Sequence, residues 1–81
     1  MNIVITPQAQ KDFDRLPQSA RKKIEKKLVA LNSQPLLGKK LEGELSDRRS
    51  VKAWPYRIIY LINNSVLLVV SISHRQGAYK K

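Results

Sequence analysis

The sequence predicts an α+β fold in one small domain, with an N-terminal strand and a helical hairpin packed on a sheet. Three features of the chain predict it. Apolar residues recur at helical spacing between Ala9 and Leu31, the period switches to two from Ser50 onward, and the short apolar alternation of Asn2–Ile5 precedes both. The 81 residues are expected to form a single domain, residues 1–81, because so short a chain buries only about 60% of its unfolded surface and cannot divide into two cores. Its 42% apolar content suffices for a folded core even though 27% of the residues are charged.

Each element follows from local chemistry. After the first strand, Thr6 supplies an N-cap and Pro7 a first-turn proline for a helix carrying Ala9, Phe13 and Leu16 on one face. Pro17 ends it, since the residue before a proline is pushed out of the α region. Gln18 or Ser19 restarts the chain as a second helix. Ala20, Ile24, Leu28 and Leu31 form its apolar stripe, Arg21, Lys22, Lys23, Lys26 and Lys27 crowd the remainder, and it stops before Pro35. That basic face reads first as a solvated surface, and no catalysis is placed there. Residues 35–45 have no clean period and read as a connecting loop whose Leu36, Leu37, Leu41 and Leu45 tuck under the core. Three strands follow. Residues 56–62 and 66–73 are rich in aromatic and β-branched side chains, and Asn63-Asn64 between them tolerates the positive φ angles of a tight hairpin.

Composition narrows the function. With no cysteine there are no disulfides, thiolate nucleophiles or zinc–thiolate sites, and the single histidine, His74, has no second histidine with which to build a metal site. Neither a metal nor a cofactor is expected. The N-terminus has no basic segment leading into a long apolar one, and the longest apolar run is far short of the ~20 residues that cross a bilayer, so the expectation is a cytoplasmic protein with no membrane partner. Sixteen Lys and Arg against six Asp and Glu leave a formal charge of +10. A polyanion is the natural partner of such a surface, and nucleic acid phosphates are the obvious one.

The side chains able to do chemistry gather on the C-terminal strands: Lys52, Arg57, His74, Arg75 and Tyr79. Strand alternation puts Ile58, Tyr60 and Ile62 on one face and Arg57, Ile59 and Leu61 on the other. A buried guanidinium among apolar neighbours is costly, so Arg57 points into a groove at the sheet edge or pairs with a carboxylate. Lys52 shares a strand face with Trp54, which is either an aromatic platform beside a cation or a core residue. Lys52, Arg57 and Arg75 together could neutralise a phosphorane-like transition state, and Tyr79 could stack on a base. RNA supplies its own nucleophile, the 2′-hydroxyl, so the protein needs only a base, an acid and positive charge. DNA has none, and the constellation favours RNA.

These residues carry a family resemblance. Leu41-Glu42-Gly43-Glu44-Leu45, Ser50-Val51-Lys52, Tyr56-Arg57-Ile58-Ile59-Tyr60, then Ser73-His74-Arg75 with Tyr79, resemble in order and spacing the RelE branch of the RelE/ParE superfamily. Ile5-Thr6-Pro7 ahead of Phe13 and Leu16-Pro17 extends the resemblance over nearly the whole chain. It implies a mixed sheet against the helical hairpin. It implies a toxin of a type II toxin–antitoxin system that cleaves messenger RNA in the ribosomal decoding site, leaving a cyclic or 3′-phosphate upstream and a 5′-hydroxyl downstream. On this resemblance Lys52 helps to activate the 2′-hydroxyl and Arg57 stabilises the transition state. Arg75 lies near the leaving 5′-oxygen, and Tyr79 stacks on a base. A cognate antitoxin with an acidic amphipathic segment is the implied protein partner, matched to the +10 charge.

The chain departs from the best-known pattern at Ser50, where a second lysine stands, and at His74. A lysine ordinarily titrates near 10.4 and a histidine near 6.5, so His74 is expected to share proton transfer. Two other readings fit the same fold. One is a ParE-like poison of DNA gyrase, and the other an inactive member that only binds its antitoxin.

Overall fold

The computed structural model of the protein describes residues 2–74. In chain order these are β1 (Asn2–Ile5), α1 (Pro7–Asp14), α2 (Gln18–Ser33), β2 (Lys39–Lys40), a 3-10 turn (Gly43–Leu45), β3 (Arg48–Ala53), β4 (Tyr56–Asn63) and β5 (Val66–His74). The strands form one sheet in the order β1-β5-β4-β3-β2. Only β1 and β5 run parallel, and the other neighbours are antiparallel. The fold is the α+β arrangement that the periodicities predict, mixed in its sheet and mainly antiparallel.

The helices start where their capping residues dictate. The Thr6 hydroxyl accepts the Ala9 N–H at 3.1 Å, with Pro7 in the first turn of α1, and α2 begins immediately after Pro17. Ala9, Ile24 and Leu31 pack on Val51, Ala53, Ile58, Tyr60, Leu67, Val69 and Ile72 in one core, with Phe13, Leu16 and Leu28 around it. The face of β4 carrying Ile58, Tyr60 and Ile62 is thus the helix-facing one. Lys52, Arg57 and Ile59 alternate onto the other face.

A bulge interrupts the pairing of β4 with β5. Ile59 lies opposite Ser71 and Tyr60 opposite Val69, so Val70 is the extra residue. The bulge lets Val69 and Ile72, three apart, both enter the core. Helix α1 satisfies the polar groups there: the Thr6 hydroxyl donates to the Val70 carbonyl at 3.0 Å, and Asp12 Oδ2 accepts the Ile72 N–H at 2.9 Å. These two bonds tie the end of β5 to α1. Asp12→Ala is therefore expected to cost about 1–3 kcal/mol, the penalty of an N–H left without its acceptor. A lowered urea midpoint with an unchanged slope would register it.

Three local expectations are corrected. The hairpin turn is Asn64-Ser65, both at positive φ (52° and 40°), one residue later than the Asn63-Asn64 pair, because Asn63 still pairs with Val66 and leaves a two-residue loop. Trp54 is no strand residue. It sits in the turn between β3 and β4 and is 60% exposed. The leucines of residues 35–45 do not anchor that loop, since Leu36 and Leu37 are exposed (67% and 44%) and Leu41 is half-buried; the side chain of Leu45 lies outside the described residues.

Polar contacts anchor the loop instead. The buried Tyr60 hydroxyl donates to the Pro35 carbonyl at 2.7 Å and accepts the Gly38 N–H at 2.8 Å, while Arg49 Nη1 donates to the Gly38 carbonyl at 2.9 Å. Lys39 and Lys40 then pair with Ser50 and Arg49 as β2. Two adjacent lysines carry no period-two apolar signal, which is why this strand is invisible in the sequence. Among the described residues no helix is long and apolar enough to cross a membrane.

Candidate functional site

The antiparallel registers place Lys52 opposite Arg57 and Arg57 opposite Ser73, so these three stand in a row across β3, β4 and β5 on the face turned away from the helices. The next row on that face is Ser50, Ile59 and Ser71. Arg57 is half-buried, as its apolar neighbours require, and borders a groove rather than lying sealed beneath it.

The groove holds about 320 Å³ at the β2 side of the sheet. Among the described residues Lys27 of α2, Lys39 and Lys40 of β2, Lys52 and Arg57 line it, and no carboxylate does. Five cations around one concavity repel one another and raise the local potential, so an anion entering between them relieves the repulsion. The Ser50 Oγ is buried in the groove wall with no hydrogen-bond partner among the described residues. Such a site can bind a phosphodiester and stabilise charge that develops on it.

Of the residues singled out in the sequence, the structure brings Lys52 and Arg57 together. His74 is the last residue of β5 and pairs with Tyr56, one position off the Lys52–Arg57–Ser73 row and therefore on the helix-facing side of the sheet. Its ring stands edge-on to that of Tyr56, with centroids 5.6 Å apart. Arg75 and Tyr79 lie outside the described residues. Among the described residues no group of three or more His, Asp or Glu side chains is placed to hold a metal.

Sequence reasoning missed the lysines of the groove wall. Lys39 and Lys40 fall in a segment read as loop, and Lys27 on a helix face read as plain solvent surface. One signal was available for the helix: Lys23, Lys26 and Lys27 recur at i, i+3 and i+4 and so share one side of it. Nothing local says that this side turns toward Lys52.

Comparison with known proteins agrees with this architecture. The family described as the ParE toxin of the type II toxin–antitoxin system, parDE, matches residues 3–79. No curated protein sequence matches the chain. Among solved structures, the RelBE2 toxin–antitoxin complex from Mycobacterium tuberculosis includes a chain with a TM-score of 0.84 at 26% identity, covering 91% of this chain and 96% of that one. The isolated RelE toxin of E. coli has a TM-score of 0.78 at 25% identity over 90% of this chain and 82% of that chain. The YoeB dimer from Staphylococcus aureus shares the fold, with a TM-score of 0.76 at 23% identity over 91% and 95%.

Proposed function

The chain belongs to the RelE/ParE superfamily of type II toxins, and from that premise we propose that it is a metal-independent, ribosome-dependent endoribonuclease that cleaves messenger RNA and so inhibits translation. The observation that carries this reading is the Lys52–Arg57 pair at a groove lined, among the described residues, by five cations and no carboxylate.

In the reaction the RNA 2′-hydroxyl attacks the adjacent phosphorus. The P–O bond to the 5′-oxygen breaks, the 2′-hydroxyl proton is lost to water and the 5′-oxygen takes one up from water, leaving a 2′,3′-cyclic phosphate upstream and a 5′-hydroxyl downstream. Lys52 orients the 2′-hydroxyl and assists removal of its proton. Arg57, with its planar fork of donors, bridges the nonbridging oxygens as they gain charge. Arg75 and Tyr79 take the roles that the family resemblance implies, support of the leaving 5′-oxygen and stacking on a base. Ser50 stands where a second lysine is the more familiar residue, so the groove carries one cation fewer at that position. The partners are the ribosome with its message and a cognate antitoxin. The +10 charge and the solved toxin–antitoxin complexes of similar chains support that pairing.

His74 was expected to share proton transfer, but its register sets it on the far side of the sheet from Lys52 and Arg57. His74→Gln is therefore expected to keep cleavage within about tenfold of wild type, since a true general acid or base contributes about 100-fold or more. A larger loss in a single-turnover assay on programmed ribosomes would return the proton-transfer role to His74.

The test of the function itself is tight induction in cells followed by mapping of messenger RNA 5′ ends. Cuts within translated codons, bearing 5′-hydroxyls and absent when initiation is blocked, are the expected result. Growth arrest with intact messages and double-strand DNA breaks would instead identify a gyrase poison.

A further inference from the structure

Lys27 of α2, which borders the cleavage groove, also lines a second groove that the proposed chemistry leaves unused. The shared face of Lys23, Lys26 and Lys27 meets the turn between β3 and β4 across an open concavity of about 520 Å³, completed by Lys52 and Trp54. Among the described residues no carboxylate lines it. Trp54 is 60% exposed, although its large apolar surface makes burial favourable. Its turn is tied to the helix, because Lys23 Nζ donates a hydrogen bond to the Trp54 carbonyl at 3.3 Å.

An exposed indole beside a row of ammonium groups has the composition of a single-strand nucleic-acid platform: every base has a π-face to stack, and each phosphate beside it finds a cation. Among the described residues four of the seven that line the groove are lysines, a surround whose charge suits an anionic strand. Lys27 and Lys52 border both grooves, so a strand leaving the cleavage site enters the second without crossing neutral surface.

We propose that this groove is a second RNA subsite, in which an unpaired base of the substrate strand stacks on Trp54 while Lys23, Lys26 and Lys27 hold the neighbouring phosphates. It rests on the ribonuclease reading for the identity of the strand, and binding tests it separately from cleavage.

Trp54 is the only tryptophan in the chain, so its native emission reports on this groove alone. The full chain is titrated with a fluorescently labelled, uncleavable 2′-O-methyl single strand of about nine nucleotides, and emission and anisotropy are read together. Emission falls by about half or more as the strand binds, as a stacked indole requires. The triple variant Lys23→Gln, Lys26→Gln, Lys27→Gln binds about tenfold more weakly, and the slope of its log affinity against log salt is shallower by about two. Trp54→Ala loses about tenfold in affinity by anisotropy, and Trp54→Phe recovers most of it.

Unchanged Trp54 emission when anisotropy shows bound RNA overturns the subsite, even if the wild type cleaves messages in cells. Full quenching without any cleavage leaves the subsite standing and removes the ribonuclease. A blue shift with an acidic peptide and no quenching with RNA gives the groove to a protein partner and overturns the proposal. So does a Trp54→Ala cleavage defect that persists on messages truncated just beyond the cut codon, which would mean that the groove holds ribosomal RNA.

Discussion

Arg57→Ala is expected to lower single-turnover cleavage of ribosome-bound message by about 100- to 1000-fold, the usual loss when a preorganised donor to a developing oxyanion is removed. The size of the effect follows from position. Arg57 stands in the middle of the Lys52–Arg57–Ser73 row and borders the groove, so on the proposed ribonuclease reading its charge would lie beside the reacting phosphate. Folding is expected to change little by comparison. Removing one of five like charges around a concavity relieves repulsion, which offsets part of the lost packing of the side-chain stem. The melting temperature should therefore stay within about 4–8 °C of wild type, which is what 1 kcal/mol represents for a domain of this size. Arg57→Lys separates charge from geometry: it keeps the cation and loses the fork, and should fall between wild type and alanine. Equal activity in Arg57→Ala and wild type would remove the row from the mechanism.

Tyr60→Phe is expected to destabilise the fold by about 2–4 kcal/mol, because one hydroxyl satisfies two backbone groups and each loses a partner worth about 1–3 kcal/mol when buried. The Pro35 carbonyl loses its donor and the Gly38 N–H its acceptor, with Tyr60 wholly buried between them. Against a total stability of about 5–15 kcal/mol that is a large fraction, and a urea titration reads it directly. Cleavage should weaken as well, because the loop held by Tyr60 delivers Lys39 and Lys40 to the groove wall.

Gly38→Ala probes the same contact from the other side. A Cβ at position 38 would lie 2.6 Å from the Tyr60 hydroxyl oxygen, 2.7 Å from its Cε1 and 3.0 Å from the Ser50 carbonyl, so the loop must shift at a cost of about 1–3 kcal/mol. The double variant should be less destabilised than the sum, since the phenylalanine removes one of the clashing atoms.

The same hydroxyl gives a pH signature. Burial raises the Tyr60 pKa above its ordinary value, only partly offset by the Gly38 N–H hydrogen bond and the nearby Arg49 charge. A folded pKa above the unfolded one means that the native state holds its proton more tightly. The contribution is complete below about pH 10 and is lost as pH rises through the raised value. The stability difference between wild type and Tyr60→Phe should accordingly be constant at neutral pH and shrink in alkali.

Much of this protein is legible in its sequence because the signals are local. Thr6-Pro7 starts α1, Pro17 separates the helices, the stripe from Ala20 to Leu31 points α2 at the core, and the change to period two announces the C-terminal strands. The +10 charge, the missing cysteines and the ordered motifs around Lys52 and Arg57 lead to a basic protein of the RelE/ParE superfamily. The remainder depended on contacts between residues far apart in the chain. The Val70 bulge needs Thr6 and Asp12 from α1 to satisfy it, and β2 forms because Tyr60 and Arg49 hold the backbone around Gly38. His74 faces away from the Lys52–Arg57–Ser73 row because of strand register, and Lys27 faces the groove because of how α2 lies on β3. Periodicity assigns a side chain to a face of its own element. Only packing decides what that face meets.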